Sequence, residues 1–193
     1  MARFAKDFRP DREGPSLLSR LHLTKTQRLS AATWLLYSLV VLVLSVVQDV
    51  ILCQVNLFGS TTDLVPCAIF AICILEGAES GSLFCLIAAT LYLFSGTAPG
   101  VHVVILIPFF GVVASLFRQN FLRKGFSATL LCASVAIFVY EVLAFALALF
   151  VQQTHPGRFF TALVTSGLDC LVIPLLYPVL VSIGKIGGDT WKE

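Results

Sequence analysis

Charge is what this chain of 193 residues has least of: only 12% are Asp, Glu, Lys or Arg. A soluble domain carries roughly 25% and uses them to cover its exterior. The few charges are also unevenly spread, with ten in the first 30 residues and ten more across the whole stretch from Ala31 to Ile183. Two further absences narrow the chemistry. The six cysteines show no C-x-x-C or C-x-x-H spacing, which argues against a zinc site and leaves cysteine as a small buried hydrophobe. His22, His102 and His155 have no ligand or triad partner in sequence, and the Ser95-Gly96 turn lacks the G-x-S-x-G setting that presents a nucleophile, so no enzyme constellation is found and no metal or cofactor is expected. A net charge of +2 makes no case for a nucleic-acid partner. What is present is apolar: 58% hydrophobic residues and a mean hydropathy of +0.92 exclude disordered and collagenous classes and leave a multi-pass, all-α membrane helix bundle.

Residues 1–30 form a basic leader, seven Lys or Arg against three acids, with Pro10, Gly14 and Pro15 interrupting any long helix. The following apolar run, 31–52, lacks a small-x-small cleavage signature and reads as an uncleaved first span. Segments 126–151 and 159–183 are each long enough to cross, the latter kinked at Pro174 and Pro178. Segment 101–117 supplies another crossing after the turn SGTAPG. Segments 64–77 and 82–95 are short, separated by the polar stretch EGAESG, and read as two buried short helices or a re-entrant pair. The leader, the loop Arg118–Lys124 and the tail 184–193 carry the positive charge, whereas QQTHPGR carries one arginine. Six segments with both termini in the cytosol follow from that bias.

Polar groups inside apolar segments are costly, about 2.5 to 3.5 kcal/mol for a central Asp, so they mark packing or function. Gln48 and Asp49 near the end of the first segment, Asp63 just before the second, Glu141 in the fifth and Asp169 in the sixth are the candidates. A proton or substrate site is one reading; interhelical or partner contacts that fix packing is the other, and it is favoured because no Lys or Arg within a segment is available as partner. Gly77, Gly81, Gly96 and Gly100 form two G-x-x-x-G pairs that flank helices, which points to hinge and turn residues before close helix contact.

The order of these features carries a resemblance: Gln48 late in the first segment, NLFG and Asp63-Leu64, EGAESGSLF, LFSGTAPGVH, then Tyr140-Glu141 in mid-segment. From about Val41 to Ile183 the chain resembles the rod shape-determining protein MreD family. It departs from that pattern along the third segment, where Cys85, Ala89, Tyr92 and Leu93 stand in place of glycines and a terminal acid. The resemblance implies a non-enzymatic protein of the bacterial cytoplasmic membrane, embedded in lipid and serving the cell-elongation machinery. Its partners would be an MreC-like protein and, through it, an MreB-like filament, a SEDS glycosyltransferase and a class B penicillin-binding protein. It also implies a fold similar to the S component of energy-coupling-factor vitamin transporters, and such a substrate-binding subunit is the alternative function. Those subunits carry an A-x-x-x-A stripe on the first helix, and Thr33–Leu52 contains no alanine.

Overall fold

The structure, a computed structural model, describes residues 25–54, 62–96, 98–122 and 125–186. The leader up to residue 24, the NLFG stretch, Arg123, Lys124 and the tail beyond 186 lie outside the described residues. Within them the chain is helical throughout: α1 (Lys25–Val50), α2 (Leu64–Glu76), α3 (Ala78–Phe94), α4 (Val103–Phe121), α5 (Phe126–Phe150) and α6 (Phe159–Ile186), with single 3-10 turns at Leu52–Gln54 and Pro156–Arg158. Helices α1, α4, α5 and α6 are long and apolar enough to cross a membrane, while α2 and α3 are shorter apolar helices. With 13 residues, α2 reaches only ~20 Å, against ~30 Å of hydrocarbon.

α2 sits at the centre. Every residue from Val65 to Leu75 is buried, as expected of a helix that is apolar all round and has no polar stripe to turn toward a surface. The other five helices surround it in the order α1, α6, α5, α4, α3, each packed on the next and all packed on α2. The seam that would close the ring, between α3 and α1, is by far the loosest. Its firm contact is aromatic, where Trp34 and Phe84 lie 5.5 Å apart between ring centroids and Tyr37 meets both. α6 continues as one helix through Pro174 and Pro178.

The starts of α2, α5 and α6 fall where the sequence places them. Others differ: α1 begins at Lys25, inside the stretch expected to be leader, because Lys25 to Ser30 holds no Gly or Pro to break the helix, and two further boundaries shift as well. EGAESG is not a polar loop: only Gly77, at φ +99°, interrupts the helices, and Ala78, Glu79, Ser80 and Gly81 already belong to α3. A left-handed φ at a single glycine reverses the chain, and the residues after it are compatible with helix. Gly81 is therefore not a turn residue. A Cβ there would stand 2.8 Å from the carbonyl oxygen of Cys73, so the missing side chain is what lets α3 lie against α2. Gly96 and Gly100 do lie in the connection from α3 to α4. At the other end of α4, Arg118, Gln119 and Asn120 continue the helix where a loop is expected, because nothing there breaks it and Arg118 turns inward.

Candidate functional site

A helix as short as α2, enclosed by others, has a specific difficulty at each end. The first four N–H groups and last four C=O groups of a helix have no partner within it, and at this depth water is not at hand. At the N-terminal pole, the Asp63 amide donates to Asp169 Oδ1 at 2.9 Å and the Val65 amide donates to Gln48 Oε1 at 3.1 Å. Pro66, third in the helix, has no N–H to satisfy. Gln48 turns its other face to the acids: its Nε2 donates to Asp63 Oδ1 at 3.1 Å and lies 3.5 Å from the Tyr92 hydroxyl. The Gln48 amide thereby brings the Tyr92 hydroxyl beside the Asp63 carboxylate. The thiol of Cys67 donates to the Asp63 carbonyl at 3.0 Å and approaches that of Asp169 at 3.7 Å. Residues of α1, α2, α3 and α6 thus meet in one buried network, and Glu141 of α5 stands near enough for its charge to be felt by Asp63 and Asp169.

The C-terminal pole is built differently. Gly77 N–H returns to the Cys73 carbonyl at 3.0 Å, and the Ser80 hydroxyl reaches the Glu76 carbonyl at 3.4 Å. The buried guanidinium of Arg118 reaches the Leu75 carbonyl at 3.4 Å. Glu76, an acid at the end of a helix where negative charge is disfavoured, accepts a 2.8 Å hydrogen bond from the Tyr37 hydroxyl and lies within the field of Arg118. Tyr37 OH is also 3.4 Å from the Leu180 carbonyl, so α1, α2, α4 and α6 converge here.

Of the residues singled out in sequence, Gln48, Asp63 and Asp169 come together, joined by Glu141 at a distance. Asp49 does not join them: it is exposed on the outside of α1. The sequence reading missed Tyr92 as a partner for the acids, and it missed the second pole altogether. Arg118 is the clearest correction. It was counted among loop charges, and the expectation that no cation sits within a segment fails with it, because the residue is buried at 5% exposure against α2. The signal was present: a 13-residue helix must end at depth, and an Arg following a 17-residue apolar run is in reach of such an end. The Tyr140 hydroxyl, fully buried, makes no hydrogen bond among the described residues, while its ring meets Phe70 edge-on at 5.8 Å.

Both poles hold and orient; their groups donate and accept hydrogen bonds between helices. Among the described residues no group of three or more His, Cys, Asp or Glu is arranged to hold a metal ion. A comparison with known protein families, curated proteins and solved structures finds no match to the chain.

Proposed function

We propose that this protein is a non-enzymatic, MreD-like component of the bacterial cell-elongation machinery, residing in the cytoplasmic membrane and acting as a scaffold or regulator beside an MreC-like protein. The observation that carries the reading is the use made of its polar residues. Of the features that carry the resemblance, Gln48, Asp63 and Glu76 to Gly81 lie at the two ends of α2, where their hydrogen bonds and the close approach at Gly81 tie a bundle together, and Glu141 stands within electrostatic reach of Asp63. A bundle in which Asp169 and Gln48 are engaged in capping a central helix suits a protein that works by contact. Through the MreC-like partner it would connect with an MreB-like filament, a SEDS glycosyltransferase and a class B penicillin-binding protein.

Six segments with both termini cytosolic remain the topology of this reading. Moving Arg118 into the bundle leaves Arg123 and Lys124 in the middle loop, still more positive than the loop holding Arg158, so the bias keeps its sign. The N-terminal pole of α2 then faces outward and its C-terminal pole inward.

Depleting the protein from its host is expected to turn rods into spheres, and restoring it to recover them; rods of normal width and length after depletion would overturn the proposal. A thermal-shift screen of the purified protein against a vitamin panel separates the alternative. A ligand at 100 times its dissociation constant stabilises by about 2.7 kcal/mol, and such a hit would make the chain an S component.

A further inference from the structure

The ring around α2 is open on one side. α1 and α3 both pack on α2 but hardly on each other, and the seam between them is occupied by two grooves that together run most of its length. The first, about 380 Å³, extends from Ser38 to Asp49 along α1 and from Phe84 to Ser95 along α3; the second, about 300 Å³, continues past Trp34 toward Ser80. Eleven residues separate Ser38 from Asp49, roughly 17 Å or three helical turns.

The walls suit a helix. Ser38 and Ser45 stand two turns apart on the α1 wall, with Ala88 opposite on α3. Both serine hydroxyls fold back onto their own helix, Ser38 to the Trp34 carbonyl at 2.9 Å and Ser45 to the Val41 carbonyl at 3.0 Å, leaving small, self-satisfied surfaces that a backbone can approach closely. Leu42 and Ile87 flank the groove, both exposed. At one mouth lies Asp49, an exposed carboxylate with no hydrogen-bond partner among the described residues, although Gln48 beside it on the same helix is fully engaged.

We propose that the α1–α3 seam receives one transmembrane helix of a different membrane protein, carrying a cation or a strong hydrogen-bond donor level with Asp49. Charge complementarity selects this occupant. A lipid chain fits the apolar stretch and leaves the carboxylate unanswered. A second copy docked by a two-fold axis sets Asp49 near Asp49, where like charges repel. The occupant completes the ring by packing on α1 and α3 together, the position around α2 where, among the described residues, two neighbouring helices meet least. The inference rests on the reading of the protein as a component that works through membrane contacts, and names the contact surface.

A photo-crosslinking residue at Leu42 or Ile87 in the full-length protein, in its host, tests this, with Leu171 on the exposed face of α6 as control. The expected adduct at both seam positions, absent at the control, maps by mass spectrometry to a transmembrane segment of another protein. Ser45→Phe, which fills the groove, and Asp49→Lys are expected to abolish the adduct at unchanged protein abundance, and reversing the partner's cation to an acid is expected to restore it to Asp49→Lys. Adducts with lipid alone, with a second copy of the chain, or with a soluble protein overturn the proposal, as do adducts that survive both substitutions. If the mapped partner belongs to another machinery than cell elongation, the docking surface stands and the proposed function falls.

Discussion

The two ends of α2 solve the same problem with opposite chemistry. At the N-terminal pole, where the helix presents uncapped N–H groups and the positive end of its dipole, the outer helices supply an acid and an amide oxygen, Asp169 and Gln48. At the C-terminal pole they supply a cation, Arg118, and a phenol, Tyr37. The sign of each side chain follows the dipole, and the exception, Glu76, is the one residue there that needs two neighbours to settle it. The geometry of the backbone contacts made by the outer helices differs too: the N-terminal bonds are 2.9 and 3.1 Å, whereas Arg118 stands 3.4 Å from its carbonyl and the shorter 2.8 Å bond of Tyr37 goes to the Glu76 side chain. The difference teaches that the N-terminal amides are held more closely than the Leu75 carbonyl, and that Asp169 and Gln48 are explained as helix caps before any transport or catalytic role is needed.

That ranking can be broken by substitution. Asp169→Leu leaves the Asp63 amide buried without an acceptor and is expected to cost the most, about 2 to 3 kcal/mol of bundle stability, while Asp169→Asn keeps an acceptor and recovers most of it. Unfolding of the detergent-solubilised protein by SDS titration measures both; equal losses for Leu and Asn would mean that charge, not capping, is what the site requires. Next comes Arg118→Met, about 1 to 2 kcal/mol, since a longer bond is lost and Glu76 is left without its cation. Adding Glu76→Gln to that variant is expected to cost less than the sum of the two single changes, a coupling that a double-mutant cycle reads directly. A loss at Arg118 exceeding that at Asp169 would invert the comparison of the poles.

Effects of that size and smaller sharpen it. Gln48→Leu leaves the Val65 amide without its acceptor and removes a donor from Asp63, and is expected to cost about 1 to 2 kcal/mol, the range found for hydrogen bonds between model membrane helices. Glu141→Gln is expected to change stability by less than about 0.5 kcal/mol, because among the described residues no hydrogen bond holds Glu141 and it meets the network through its charge. A large loss for Glu141→Gln at normal abundance in the host would instead mark that residue as charge-dependent, and the N-terminal pole would then be more than a cap.

Much of the scaffold is legible from the chain alone, and the reason is physical. Apolar runs bounded by Gly, Pro or charges set where α2, α5 and α6 begin, and the cost of polar groups at depth singles out Gln48, Asp63 and Asp169. Pairing is another matter. Asp63 and Asp169 are 106 positions apart, Tyr37 and Glu76 are 39, and nothing local distinguishes a carboxylate that caps another helix from one that points outward, as Asp49 does. Arg118 illustrates the same ambiguity, because a cation after an apolar run satisfies a topology rule and a capping geometry equally well. Gly81 escaped for a similar reason: its spacing from Gly77 is shared by a turn and by a close helix crossing, and only the position of the Cys73 carbonyl decides between them.

The capping of α2 also has a consequence in time. Its first cap comes from Gln48, already synthesised when α2 appears, but the second comes from α6, the last of the six helices to be made. At about 5 to 20 residues per second, the 106 residues between Asp63 and Asp169 take roughly 5 to 20 s to follow. For that interval the central helix of the bundle exists without the acceptor that α6 later brings to its first backbone amide.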